Sequence, residues 1–255
     1  YSNVSFKSDD SKDINLNGWW IESEKNIGTI IWVHGLDSER SGGEGKLEMM
    51  KEIHDLGYSV LSFDLRGHGN SSDAPLGLGI REKNDIYGAI KYLNKNHDVK
   101  KIGLYGISYG GVAVIDAAVN YNNDNVDIVG IFSDTPYFSV TELLTKEVSD
   151  RTPIPHFISK LLKFGIIQSG ELFQNMNIED VEESMKRVSE IKFPVIIISC
   201  KNDERVPVSH PERVYSYSKN SKYVAFDYCE DHGEAYETNK EKFMEEFKNY
   251  FENKF

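Results

Sequence analysis

Residues 101–111 read Lys101-Ile102-Gly103-Leu104-Tyr105-Gly106-Ile107-Ser108-Tyr109-Gly110-Gly111 and join two contrasting patterns. A short apolar run of strand-forming residues ends in Gly-x-Ser-x-Gly, and an apolar segment rich in Ala and Val follows over 112–119. A strand, a tight turn and a helix form the setting in which this pattern becomes a nucleophile elbow. Gly106 and Gly110 fit that interpretation, because such a turn forces Ser108 into disfavoured backbone space and leaves no room for neighbouring side chains.

Apolar runs bounded by turn residues recur on both sides of this motif. Two short strands near the start are predicted to form an antiparallel pair at the sheet edge, and further buried strands alternate with helical patterns. These predicted strands cover residues 4–6, 14–21, 29–33, 58–63, 128–132, 194–199 and 223–228. The alternation predicts an α/β fold with a doubly wound, mostly parallel sheet.

The alternation breaks for 55 residues after the sixth strand. Three helical patterns follow one another there without an intervening strand, at 140–148, 154–167 and 178–188. We therefore predict a core of residues 1–135 and 191–255, with a small helical cap at 136–190 over the carboxyl ends of the strands. His156 and Phe157 of the cap are the candidate substrate-binding residues.

The charge balance limits the classes of partner. With 29 basic and 41 acidic residues the net charge is 29 − 41 = −12, which argues against binding to nucleic acid or to an anionic membrane surface. No window approaches 18 apolar residues, so no membrane-spanning segment is predicted. The chain begins at Tyr1 without methionine. The interpretation is a cytoplasmic protein, with a removed N-terminal signal or anchor as the open alternative, and no pattern bears on the oligomeric state.

The two cysteines, Cys200 and Cys229, each lie three residues before a candidate catalytic residue. This spacing places both at similar height at the ends of neighbouring strands. A disulfide there would require strained geometry, so the prediction is two buried free thiols. Their spacing matches no metal-binding motif, and neither a metal site nor a cofactor site is predicted.

Several strand-end motifs, in this order, resemble those of the α/β-hydrolase superfamily over nearly the full length of the chain. They are His34-Gly35, the run Asp64-Leu65-Arg66-Gly67-His68-Gly69-Asn70-Ser71, the motif at 106–110, Asp203 before Val206-Pro207, and Asp231-His232-Gly233. The looser resemblance is to microbial carboxylesterases and to the branch that is serine-aminopeptidase-like or monoacylglycerol-lipase-like.

The chemistry of a serine nucleophile identifies three candidate catalytic residues. Ser108 needs an adjacent base, and His232 can take its proton and return it to the leaving group. Asp203 is placed to fix the tautomer of His232 and to stabilise its imidazolium, and the chain order of the three residues is the one expected on this fold. Asp134, also at a strand end, is the rival acid.

An oxyanion hole needs two backbone N–H groups aimed at the developing negative charge. Tyr109, directly after the nucleophile, and Leu36, directly after His34-Gly35, are the candidates. His34 and His68 are interpreted as residues that brace loops near the site.

The resulting functional hypothesis is a serine esterase. It cleaves small-molecule carboxylic esters with small to medium acyl groups through an acyl-enzyme. One alternative is an aminopeptidase-like amide or peptide hydrolase, in which Glu142, Glu147 or Glu171 would hold the substrate amine. A thioesterase, and a catalytically silent fold used for binding, are the others.

Overall fold

The computed structural model describes residues 1–123, 125–151, 165 and 177–255, and the fold is built on one sheet of eight strands. The strand order is β1-β2-β4-β3-β5-β6-β7-β8. The strands are β1 Ser2–Lys7, β2 Asn15–Ile21, β3 Gly28–Val33, β4 Tyr58–Phe63, β5 Lys101–Ile107, β6 Asp127–Asp134, β7 Val195–Cys200 and β8 Lys222–Phe226. β1 and β2 pair antiparallel with each other, β2 pairs antiparallel with β4, and β3 to β8 run parallel.

Helices connect the parallel strands or follow the last of them. They are α1 Glu44–Leu56, α2 Lys83–His97, α3 Tyr109–Asn120, α4 Val140–Arg151, α5 Asp180–Lys186, α6 Ser209–Tyr217, α7 Ala235–Thr238 and α8 Lys240–Phe251, with a 3₁₀ turn at Arg187–Glu190. Within the described ranges, no helix combines the length and the apolar character needed to cross a bilayer.

Successive residues of a strand point to opposite faces of the sheet, and apolar side chains are buried on both faces. Ile31 and Val33 of β3 join one apolar cluster, which includes buried residues of α2, α3 and α5. Ile30 and Trp32 join the other, which includes buried residues of α1 and α8. The predicted doubly wound, mostly parallel sheet with an antiparallel edge pair is therefore confirmed.

The predicted cap segment is described in part. Helix α4 covers the first predicted helix, and α5 with the 3₁₀ turn covers the third. Val181, Met185 and Val188 are buried in the same cluster as α3, so this part of the segment packs against the sheet's helical layer. His156 and Phe157 lie outside the described residues, and the division into a core and a cap at 136–190 stays a prediction.

The predicted strained turn at Ser108 is confirmed. Ser108 has φ 54°, in the left-handed region that non-glycine residues avoid. A Cβ at Gly106 would lie 2.2 Å from the carbonyl oxygen of Gly110. A Cβ at Gly110 would lie 2.4 Å from the carbonyl oxygen of Val33. Because both distances are far below contact, the elbow requires glycine at both positions.

The prediction of two free thiols is wrong, since Cys200 and Cys229 form a disulfide. Their Cα atoms are 5.8 Å apart, inside the range that a disulfide spans without backbone movement. Cys229 does not end a strand as expected but lies three residues beyond the end of β8, at a distance from Cys200 that a bridge can span.

Replacing Gly106 by alanine is expected to lower the free energy of unfolding by about 3 kcal/mol, because the added methyl group overlaps a backbone carbonyl. Gly43→Ala is the matched control: its φ is 92°, but an added Cβ meets nothing within 4 Å. That control should cost only about 1 kcal/mol. Urea unfolding measures both, and equal losses would contradict the steric account.

Candidate active site

The candidate site lies at the carboxyl ends of the parallel strands. Ser108 follows β5, and His232 lies in the loop after β8. Both line one cavity of about 200 Å³, together with Gly35 and Leu36, which follow β3. The structure thus brings together the predicted nucleophile, the predicted base and the loop that carries a predicted oxyanion donor.

The imidazole of His232 has one partnered and one unpartnered nitrogen. Nδ1 lies 2.7 Å from Oδ2 of Asp203. Because a carboxylate only accepts hydrogen bonds, Nδ1 carries the proton in the neutral ring and Nε2 keeps a lone pair. Nε2 is buried and has no hydrogen-bond partner among the described residues. The ring therefore keeps one free basic nitrogen, and His232 lines the cavity.

Asp203 is fixed by its other oxygen. Oδ1 accepts hydrogen bonds from the backbone N–H groups of Val206, at 2.8 Å, and Arg205, at 3.0 Å. The side chain is fully buried. A turn that satisfies one oxygen with backbone donors leaves the second oxygen aimed at the imidazole.

Asp134, the rival acid, is placed differently. Its carboxylate accepts hydrogen bonds from the Thr135 hydroxyl, at 3.0 Å, and from the Tyr105 hydroxyl, at 3.2 Å. Complete burial raises the pKa of Asp134 to about 6, although the charge of Lys46 acts in the opposite direction. The hydrogen-bonded partner of His232 is thus Asp203, and Asp134 is a buried neighbour.

His34 braces the strand ends, as the sequence predicts. Its Nε2 accepts a hydrogen bond from the Leu65 N–H at 3.0 Å, and its Nδ1 lies 2.7 Å from the Gly35 carbonyl oxygen. Burial lowers the pKa of His34 to about 4, so the ring is neutral at physiological pH. This neutral ring ties the loop after β3 to the loop after β4.

The two predicted oxyanion donors, the backbone N–H groups of Tyr109 and Leu36, belong to different parts of the fold. Tyr109 begins α3, where a backbone N–H has no acceptor inside the helix. The N–H of Ser108 is already used, since it donates to the Asp134 carbonyl oxygen at 2.7 Å. On the facing loop, a Cβ at Gly35 would lie 3.7 Å from Ser108 Cβ, so the chain just before Leu36 passes close to the serine.

Lys46 is a part of the site that the sequence analysis missed. This residue of α1 is buried, lines the cavity and donates to the Gly233 carbonyl oxygen at 2.8 Å. It also pairs with Glu237 at 2.6 Å. Because Gly233 follows His232 directly, the ammonium group anchors the histidine loop to α1. The partners lie 187 and 191 residues away in sequence, so no local pattern reveals them.

Charged side chains form part of the cavity lining. Arg205 lines it and pairs with Asp37 at 3.4 Å. Glu234 also lines it and has no ion-pair partner within the described part of the chain. No group of three or more His, Cys, Asp or Glu residues is arranged for a metal ion in the described ranges.

Of the three carboxylates considered for a substrate amine, Glu142 accepts from Arg213 Nη1 at 2.7 Å. Glu147 also has a partner, and Glu171 lies outside the described residues.

The sheet topology and a serine at the elbow define the class of the protein as an α/β-hydrolase. The model of the family described as serine aminopeptidase, S33, matches residues 24–166, which is more than half of the chain. The chain therefore belongs to this family. It is therefore a hydrolase.

Two curated relatives show how far the likeness extends. The uncharacterized protein YqkD of Bacillus subtilis is 26% identical over 244 residues, covering 93% of this chain and 75% of YqkD. The lysophosphatidylserine lipase ABHD12 of Danio rerio is 21% identical, covering 80% of this chain and 51% of ABHD12. The chain thus spans about half the length of the lipase.

Solved structures share the fold over almost the whole chain. The Pyrococcus furiosus esterase Pf2001 superposes with a TM-score of 0.77 at 21% identity, covering 98% of this chain and 91% of the esterase. Est1E of Butyrivibrio proteoclasticus, solved with ferulic acid bound, gives a TM-score of 0.66 at 19% identity, covering 97% and 98%. At these identities the likeness establishes the fold.

Replacing Lys46 by methionine is expected to lower the free energy of unfolding by about 2 kcal/mol, because it leaves Glu237 partly buried without its partner. Lys51→Met is the matched control on the same helix. The Lys51–Asp55 pair is exposed and screened by solvent, so its loss should lower the free energy of unfolding much less than the loss of Lys46. Urea unfolding compares the two variants, and a similar small loss for both would contradict the anchoring role of Lys46.

Asp134→Asn is expected to change the pH dependence of stability. Because the folded-state pKa of Asp134, about 6, exceeds its ordinary value of 3.8, its contribution is fully present below pH 4 and is lost as the pH rises through 6. Relative to the variant, the wild-type protein should therefore lose up to about 3 kcal/mol of stability between pH 4 and pH 7. Urea unfolding at both values checks this, and a constant difference would refute it.

Proposed function

We propose that this hydrolase is a serine esterase in which Ser108, His232 and Asp203 form the catalytic triad. One observation carries the proposal: His232, whose Nδ1 is held by Asp203 and whose Nε2 has no partner among the described residues, lines the same cavity as Ser108. A base oriented by a carboxylate, beside a serine on a strained elbow, is the arrangement that serine hydrolysis requires.

The proposed reaction has two halves. Ser108 Oγ attacks the ester carbonyl carbon as Nε2 of His232 takes its proton, and His232 then returns the proton to the departing alcohol oxygen. The acyl group of the substrate remains bonded to Ser108 Oγ. Water attacks the acyl carbonyl carbon as His232 takes its proton, and His232 returns that proton to Ser108 Oγ as the acyl–oxygen bond breaks and the carboxylic acid leaves. Asp203 stays ionised and stabilises the imidazolium in both halves.

We assign oxyanion stabilisation to the backbone N–H groups of Leu36 and Tyr109. The free N–H at the start of α3 supports Tyr109, and the close approach of Gly35 to Ser108 supports Leu36. The positive end of the α3 dipole adds to the stabilisation of a negative oxygen beside Ser108.

The cavity favours short acyl groups. Its volume of about 200 Å³ lies below the range of common ligand pockets, 300–1,000 Å³. Its lining includes the charged residues Lys46, Glu237 and Arg205. A long alkyl chain would remove water from these charges, which costs free energy. We propose that residues 136–190 form the cap over this cavity and that His156 and Phe157 contact the substrate there.

Amide hydrolysis of an amine-bearing substrate is the second candidate. Glu234 supports it, because this carboxylate lines the cavity without an ion-pair partner among the residues described. A protonated amine placed beside Glu234 would complete an ion pair at the site. The Glu234→Gln variant would then raise KM for amine-bearing amides and leave KM for neutral esters unchanged.

Hydrolysis of the p-nitrophenyl esters of acetate, butyrate and octanoate tests the proposal, with Ser108→Ala beside the wild-type protein. We expect kcat/KM to be highest for the two short esters and to fall for octanoate. The variant should lose about 10⁴-fold or more while keeping the wild-type circular dichroism spectrum.

Two outcomes would contradict this account. Retention of most of the activity by purified Ser108→Ala removes Ser108 from the mechanism. The highest kcat/KM on octanoate excludes the short acyl pocket. Faster turnover of aminoacyl p-nitroanilides than of any ester would favour the second candidate.

A further inference from the structure

The two loops that carry Asp203 and His232 extend beyond the sheet. β7 ends at Cys200 and β8 ends at Phe226, so both residues lie past the last ladder hydrogen bond of their strands. The hydrogen bond of 2.7 Å between Asp203 and His232 therefore depends on contacts between the loops themselves.

The Cys200–Cys229 disulfide is one such contact. Each cysteine precedes its triad member by three residues, so the bridge joins the loops at matching height. Both cysteines are buried, and the Cα separation of 5.8 Å fixes the distance between the loop bases.

The side-chain amide of Asn202 is a second contact between the same loops. Its Nδ2 donates to the Cys229 carbonyl oxygen at 2.7 Å, and its Oδ1 accepts from the Cys229 N–H at 2.8 Å. This pairing needs one donor and one acceptor on a short side chain, which an aspartate cannot supply when ionised. Asn202 directly precedes Asp203, so the amide fixes the backbone at the acid itself.

We propose that the Cys200–Cys229 disulfide and Asn202 are positioning groups that together hold Asp203 and His232 in catalytic register; we call them the loop clamp. The proposal rests on the proposed triad function. Both parts of the loop clamp bind Cys229: the disulfide bonds to its sulfur, and the Asn202 amide hydrogen-bonds to its backbone. Each part therefore limits the effect of losing the other, and loss of both has a greater effect on kcat than the product of the single losses.

The clamp makes turnover sensitive to reduction. Two electrons and two protons from a dithiol such as dithiothreitol convert the bridge into two thiols, while the dithiol closes into its own cyclic disulfide. Asn202 still joins the loops after reduction in the wild-type protein. In Asn202→Ala the disulfide is the remaining part of the clamp, so reduction has its largest effect there.

The test compares four proteins on p-nitrophenyl acetate, with and without dithiothreitol. They are the wild-type protein, Asn202→Ala, Cys200→Ala/Cys229→Ala, and the variant with all three changes. We expect kcat to fall about 10²-fold in the triple variant, the scale of a misplacement near 1 Å, and only a few-fold in the others. KM should stay within about twofold, because the clamp orients the acid and base rather than the substrate.

Dithiothreitol should lower kcat of Asn202→Ala to the level of the triple variant and leave Cys200→Ala/Cys229→Ala unchanged. Phe247→Leu, a core change on α8 in the same apolar cluster as the cysteines, controls for lost stability. It should keep the wild-type kcat. If the triple variant fails to fold, Asn202→Ala treated with dithiothreitol supplies the same comparison.

Two measurements without substrate separate this proposal from the proposed function. Thiol titration of the unfolded, unreduced protein should find no free thiol, and hydrogen exchange of the Cys229 amide should accelerate in Asn202→Ala. Two titratable thiols, or wild-type kcat in the triple variant, would overturn the clamp. Absence of Ser108-dependent turnover in the wild-type protein would instead overturn the proposed function.

Discussion

The close approach of the chain to itself at residues 106–110 is the constraint on which the candidate site depends. Backbone oxygens lie where side chains at Gly106 and Gly110 would be, so β5 turns into α3 within a few residues. The turn holds Ser108 at φ 54° and starts the helix at Tyr109. One local constraint thus sets the position of the proposed nucleophile, Ser108, and of one proposed oxyanion donor, the N–H of Tyr109.

The rest of the site is assembled around that elbow from distant parts of the chain. His34 joins the loops after β3 and β4, Lys46 ties α1 to the carbonyl group after His232, and Asn202 joins the loops after β7 and β8. Each contact pairs a side chain with a backbone group of another loop. Such contacts fix backbone positions directly, which is what a preorganised site requires.

Burial separates two titratable neighbours of the elbow from the proposed proton transfers. His34 has a pKa lowered to about 4 and stays neutral at physiological pH. Asp134, with a pKa raised to about 6, is bonded to two hydroxyl groups instead of to the imidazole. Asp203 alone of the two candidate acids contacts His232, and its environment explains the difference, because backbone donors leave one of its oxygens aimed at the ring.

The predictable features are those that short segments encode. Gly-x-Ser-x-Gly after an apolar run implied a strained elbow, and alternating strands and helices implied the doubly wound sheet, since both depend on neighbouring residues. The disulfide, Lys46 and Asn202 were missed or misjudged because their partners lie far away in sequence and are brought together only by the tertiary fold. Cys200 ends β7 as expected, but Cys229 lies three residues past the end of β8, where the two sulfur atoms bond.

The central claim is that Ser108 is a nucleophile activated by the fold, and covalent labelling tests it most directly. Incubation with a fluorophosphonate, followed by proteolysis and mass spectrometry, should find one adduct, on Ser108. The adduct should be absent when His232 is replaced by alanine or when the protein is unfolded beforehand. An adduct on another residue, or equal labelling of native and unfolded protein, would contradict the account.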